Sequence, residues 1–178
     1  MAWFVGLVCL IAGISDLWRQ RIPNQLTYGG ILAGLAANVA GSALPVDRQI
    51  AWGLVGWEAS LQGFFLIGGL MLVCFVLFNI GGGDVKLLTL IATCLGWEKG
   101  LETVLWTFVL GAALGLAQLV WTVGAWSLLK KFTTWLLCSL RLVSWQPLTP
   151  EDRQLLQPSL YLAPVAGFAV LIVINQWL

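Results

Sequence analysis

Histidine is absent from the 178 residues, and charge is scarce: nine Lys and Arg face eight Asp and Glu, 10% of the chain, for a formal net charge of +1. Without an imidazole, the usual side chain for acid–base work and metal ligation near neutral pH is missing. Soluble domains carry roughly 25% charged residues, so an ordinary water-soluble enzyme and a disordered chain are both excluded. A net charge of +1 sets up no basic field for phosphate, and no nucleic-acid partner is expected. The four cysteines, Cys9, Cys74, Cys94 and Cys138, form no CxxC pair. A structural zinc site is therefore not expected, and the cysteines read as small hydrophobes. No metal and no cofactor are expected.

What the chain has is apolar length. Hydrophobic residues make up 60% of it, the mean hydropathy is +0.91, and there are eleven tryptophans. Its long uncharged runs are 1–15, 22–46, 59–83, 87–97, 103–129 and 154–178. A membrane-crossing helix needs about 20 mostly apolar residues. Four runs reach that length outright. Run 1–15 reaches it only by including Asp16 and Leu17, and run 87–97 only by starting at Asp84 and continuing towards Gly100. The expectation is an all-α polytopic membrane protein with six transmembrane helices, forming a single membrane-embedded domain over residues 1–178. Met1 to Ser15 has no Lys or Arg, so a cleavable signal peptide is not expected.

Six spans put both termini on one side. One set of loops then carries Arg19, Arg21, Lys86, Lys130, Lys131, Arg141 and Arg153, and the other carries Arg48 and Lys99. The positive-inside rule assigns the first set to the cytoplasm, which places Asp16 and Asp84 near the cytoplasmic face of the cell membrane. Trp3, Trp18, Trp52, Trp57, Trp97, Trp126, Trp145 and Trp177 fall near span ends, where tryptophan anchors helices at the interface. Residues 128–145 space Leu128, Phe132, Trp135, Leu136, Leu140 and Val143 at helical intervals among charges. This predicts an amphipathic helix lying on the cytoplasmic interface. Residues 146–158, with three prolines, read as a loop.

Ionisable groups at membrane depth are costly and mark function. Asp16 ends the first span and Asp84 opens the fourth; Asp47, Glu58, Glu98, Glu102, Glu151 and Asp152 read as loop or interface charges. Asp84 follows Gly81-Gly82-Gly83, a run that frees the backbone to turn and leaves room beside the carboxylate. A purely structural reading, in which the glycines turn and Asp84 caps the next helix, stands beside it. Asp16 precedes Arg19, Arg21 and Ile22-Pro23-Asn24, and could simply close the first helix, paired with Arg19. Together the two acids suggest more. Carboxylates sharing a site hold one proton between them, so one can activate water while the other donates to the scissile group. This hydrolytic mechanism needs neither histidine nor metal.

Asp16 with Arg19, Arg21 and Ile22-Pro23-Asn24, followed by Gly81-x-Gly83-Asp84-Val85-Lys86-Leu87, resembles the type IV prepilin peptidase family, membrane aspartyl proteases of the GxGD type. Leu162-Ala163-Pro164-Val165-Ala166-Gly167 resembles the proline and glycine segment that opens the family's last span. The resemblance implies an endopeptidase that removes the short basic leader of pilin-like precursors on the cytoplasmic side, just before their hydrophobic helix. It implies Asp16 and Asp84 as the catalytic dyad, and Gly81, Gly83, Lys86, Pro23, Asn24 and Pro164 as substrate-positioning residues. Pilin precursors, the lipid bilayer and pilus assembly machinery are the partners implied. The sequence lacks the two CxxC pairs of the zinc domain that many bacterial members link to N-methylation. It looks like the short form of tight-adherence pilus systems and archaea, and proteolysis without methylation is expected. An ion- or proton-coupled carrier, or a non-catalytic scaffold of a pilus or secretion system, remains the alternative.

Overall fold

The computed structural model describes residues 1–19, 22–78, 80–124, 133 and 162–175, and among them every regular element is a helix. In chain order these are α1 (Ala2–Arg19), α2 (Asn24–Gly41), α3 (Val46–Trp52), α4 (Gly56–Gln62), α5 (Gly68–Phe78), α6 (Gly82–Leu95), α7 (Trp97–Val123) and α8 (Leu162–Asn175). A π-helical turn, Gly63–Ile67, joins α4 to α5, so that Gly56–Phe78 runs as one rod of 23 residues. Contacts gather into two compact units, residues 1–110 with 161–178, and residues 111–160.

The first unit is built around α6. Its residues Leu87 to Leu95 are all buried, as expected of a helix that is apolar on every side. Against it pack α2, the π turn with α5, and more lightly α1 and α8. The α2 face turned inward is Thr27, Gly30, Gly34, Asn38 and Gly41, a helical spacing of mostly small residues. They let the two helices approach closely: a Cβ on Gly34 would lie 2.5 Å from Cys94 Sγ, and one on Gly30 would overlap the Leu90 side chain. The π turn makes an even closer approach, since a Cβ on Gly63 would fall on the Ala92 backbone carbonyl. At this crossing, polar groups satisfy one another. Asn38 Nδ2 donates to the Thr93 carbonyl at 3.2 Å, Ser60 Oγ donates to the same oxygen at 2.7 Å, and the Val55 N–H donates to Asn38 Oδ1 at 3.1 Å. Gly96, at φ 86°, ends α6 and lets the chain reverse into α7.

A second close pair is α1 with α8. Val5, Val8, Cys9 and Ala12 are buried on α1, and Ala163, Ala166, Ala169, Val170 and Val173 on α8. A Cβ on Gly13 would meet Pro164 Cα at 3.5 Å, ordinary contact, so the first turn of α8 rests against α1 one turn before Asp16.

Among the described residues, two helices are long and apolar enough to cross a membrane: Gly56–Phe78, with mean hydropathy 2.4, and Trp97–Trp121, with 1.8. Apolar side chains cover their outer surfaces, Phe65, Leu66, Leu72, Val73, Val76, Leu77 and Phe78 on the first and Leu105, Val109, Leu114, Leu116 and Trp121 on the second. Apolar surface this continuous belongs in lipid rather than water. The bounds differ from those read in the sequence. The third rod begins at Gly56 and ends at Phe78 rather than running 59–83, and α6 begins at Gly82, ahead of Asp84. The run 22–46 yields an 18-residue α2, a turn and the short α3. Glu98, Lys99 and Glu102 lie within α7. The proposed amphipathic segment 128–145, apart from Thr133, and the loop 146–158 lie outside the described residues, as do Arg21 and Arg153.

Candidate active site

Two chain crossings build the site. In the first, α1 ends with Asp16 in its last turns, and the chain re-enters helix at Pro23, whose φ of −61° and ψ of 127° make it the extended residue before α2. Proline suits this place because its missing N–H would have no helical partner. The Pro23 carbonyl accepts from Leu26 N–H at 3.1 Å and Thr27 N–H at 3.3 Å, and Thr27 Oγ1 donates to the Asn24 carbonyl at 3.1 Å. Asn24 therefore stands fixed at the mouth of α2.

The second crossing is the glycine run. Gly81 is extended, at φ −60° and ψ 130°, and its carbonyl accepts the Asp84 N–H at 3.1 Å and the Val85 N–H at 3.3 Å. Asp84 lies in the first turn of α6 but is not its cap; no side chain caps this helix. Its carboxylate instead folds back over Gly81, where a Cβ would lie 2.8 Å from Asp84 Oδ2. Gly83 lies close to the first crossing: a Cβ there would meet three atoms of Ile22 at 3.3 Å. The glycines thus serve two distinct ends, one making space for the carboxylate and one seating α6 against the α1–α2 connection.

Asp16, Ile22, Pro23, Asn24, Gly81, Gly82, Gly83 and Asp84 line one open cleft of about 480 Å³. Both aspartates are partly exposed to it. The backbone amide of Ala163, in the first turn of α8, faces the Asp16 carboxylate. Lys86 turns towards α2, where its Nζ donates to Asn24 Oδ1 at 2.8 Å and lies 4.8 Å from the centre of the Tyr28 ring.

Of the eight residues singled out in the sequence, six share this cleft and Lys86 touches it through Asn24. Pro164 is not part of the lining; it packs on Gly13. The neighbouring Ala163 faces Asp16 instead, through a main-chain amide that leaves no residue-type signature. Ile22 enters the sequence reading only as part of the Ile22-Pro23-Asn24 motif, and Tyr28 does not enter it. Tyr28 carried one faint signal, its place one helical turn after Asn24. Chemically, the cleft offers two carboxylates with different supports, an accessible floor of bare backbone and a neutral amide at its rim. That combination suits an extended peptide whose own backbone must come near an acid pair.

Residues 3–116 match the model of the type IV leader peptidase family. The match includes both aspartates and ends before α8. Among curated proteins, the chain is similar to the prepilin leader peptidase/N-methyltransferases of Burkholderia pseudomallei strains 1026b and K96243. Identity to each is 31% over 116 residues, covering 62% of this chain and 35% of the relative. It is also similar to the prepilin peptidase EppA of Methanothermobacter thermautotrophicus, at 32% identity over 98 residues, covering 53% of this chain and 23% of the relative. The aligned part is thus about a third or less of the length of these relatives. No solved structure matches.

Proposed function

The chain belongs to the type IV leader peptidase family, and from that premise we propose that it is a membrane aspartyl endopeptidase removing the basic leader of type IV pilin-like precursors. The observation that carries this reading is the convergence of Asp16 and Asp84, from helices far apart in sequence, on one cleft floored by Gly81, Gly82 and Gly83. In the proposed reaction, one carboxylate takes a proton from water as the water attacks the scissile carbonyl, and the other protonates the departing amine. Asp16 is faced by the Ala163 N–H, and Asp84 is given its place by the missing side chain of Gly81. Pro23, Asn24 and Gly83 shape the walls between which the leader's backbone lies.

The proposal extends to topology. The chain crosses the cell membrane six times, with α1, α2, the rod from α4 to α5, α6, α7 and α8 as the passes and the cleft towards the cytoplasm. At about 1.5 Å per residue, the 14-residue α6 spans only about 21 Å. That is tolerable because its sides are covered by protein, and only its ends must meet polar surroundings.

The test is cleavage, in detergent or lipid, of a synthetic precursor with a basic leader, a glycine before the cut and an apolar stretch after it. Asp16→Asn and Asp84→Asn should each abolish cleavage while unfolding at wild-type temperature. A well-folded wild type that cuts none of several leaders would overturn the reading in favour of a carrier or scaffold.

A further inference from the structure

Lys86, Asn24 and Tyr28 meet where α2 and α6 approach the cleft. Deeper in the pair, small residues bring the two helices together, Gly30 under Leu90 and Gly34 against Cys94. At the cleft end the helices are joined differently, through Gly83 on Ile22 and through Lys86, which sits two residues beyond Asp84. Its ammonium donates to Asn24 Oδ1 at 2.8 Å and stands 4.8 Å from the Tyr28 ring centre. Asn24 and Tyr28 are one helical turn apart, so they present a joint seat to the cation. A lysine stem is flexible, and one hydrogen bond to an amide oxygen leaves its ammonium free to swing. An aromatic face attracts the cation and gives the stem an apolar surface to lie on, which removes much of that freedom.

We propose that Tyr28 is a positioning residue for the cleavage reaction: its ring holds the Lys86 ammonium against Asn24, tying the first turn of α2 to the first turn of α6. The width of the cleft between Pro23–Asn24 and Gly81–Asp84 is set by this tie. Lys86 then acts through Asn24 rather than on the peptide. The reaction named here rests on the peptidase reading above, whereas the tie itself rests on the three side chains. The ring, and not the hydroxyl, is what the tie requires.

The experiment combines cleavage kinetics with acylation of lysines by an amine-reactive reagent, read residue by residue by mass spectrometry on the full chain in micelles. Tyr28 is 52% exposed, so its substitution leaves the core intact. In Tyr28→Leu, Lys86 should acylate about two- to fivefold faster relative to the other lysines, the factor that an exposed cation–π contact represents. The value of kcat should fall by a similar factor with KM nearly unchanged, and Tyr28→Phe should restore both readings. In a Lys86→Met background, adding Tyr28→Leu should lower kcat no further. Unchanged acylation of Lys86 in Tyr28→Leu, or an equal loss of kcat in both backgrounds, would overturn the proposal. A wild type that does not cut while Lys86 acylation still responds to Tyr28→Leu would overturn the peptidase reading and the positioning role with it, leaving only the tie.

Discussion

Gly81→Ala separates the site's chemistry from its fold. The backbone at Gly81, with φ −60° and ψ 130°, is open to any residue, so alanine brings no conformational strain. As the residue preceding α6 it is a slightly poorer cap than glycine, at a cost of about 0.5–1 kcal/mol. The added methyl would lie 2.8 Å from Asp84 Oδ2, whereas ordinary contact begins at 3.4 Å. The carboxylate must therefore retreat by several tenths of an ångström, or swing to another rotamer and leave the cleft. A misplacement approaching 1 Å at a reacting group costs on the order of 100-fold in rate, so kcat should fall roughly 10- to 100-fold, or ~1.4–2.7 kcal/mol in the barrier. The neighbouring glycines give an internal scale. At Gly83 the new methyl meets Ile22 at 3.3 Å and demands a smaller adjustment, while at Gly82 it meets only the Phe75 ring at 3.8 Å. Initial rates on the synthetic precursor, with thermal unfolding of each variant, should rank the losses Gly81→Ala, then Gly83→Ala, then Gly82→Ala, with unfolding temperatures close together. A Gly81→Ala enzyme as fast as wild type, or a Gly82→Ala enzyme equally slow, would refute the argument. It would mean that flexibility of the run, and not clearance over Gly81, is what Asp84 needs.

Ala163→Pro removes a main-chain N–H that faces Asp16, at a first-turn position where proline is tolerated; kcat should drop by up to about tenfold, the low end for a hydrogen bond to a charged group, with unfolding little changed. Gly63→Ala should behave oppositely, destabilising by at least ~2 kcal/mol because its methyl overlaps the Ala92 carbonyl and the rod must part from α6; a lowered unfolding temperature in lipid checks this. Asn38→Leu strips the Val55 N–H of its acceptor and should cost about 1–3 kcal/mol in the same assay. The rate should follow a bell-shaped pH profile, lost at low pH when both acids are protonated and at high pH when both are ionised; Asp16→Asn or Asp84→Asn should leave no profile to measure.

The helical class and the two acids were legible because both rest on expensive residues. Charge is so rare here that its position carries information, and Asp16 and Asp84 stood out against long apolar runs. The glycine run was legible as a turn, but the separate duties of Gly81 and Gly83 were not, since they depend on where Asp84 and Ile22 point. Helix bounds are less legible than uncharged runs, because a charge does not end a helix: Glu98, Lys99 and Glu102 are all helical in α7. The π turn left no trace in sequence, because its cause is tertiary. Gly63 must pass the Ala92 backbone, and an extra residue in the turn accommodates that crossing. Pro164 was read by its motif and the Ala163 amide missed for a simpler reason: every residue but proline offers an N–H, and only the fold selects the one that matters.

The two acids belong to different packing groups, and this bears on how the dyad is assembled. Asp16 rides on α1, which is joined most extensively to α8, and the Ala163 amide that faces it lies within that pair. Asp84 rides on α6, which is locked to α2 and to the π turn by backbone-close glycines and by the Asn38–Ser60–Thr93 polar crossing. Contacts between α1 and α6 are sparse by comparison. Each aspartate therefore rides on a helix packed within its own group, and fewer contacts fix the two helices to one another than fix either to its own partners. Under the proposed peptidase reading, such an arrangement would suit a substrate that is a chain segment rather than a small molecule. A peptide entering the seam would touch both walls at once, so its binding energy would act directly on the coordinate that brings water, scissile carbonyl and both carboxylates into line.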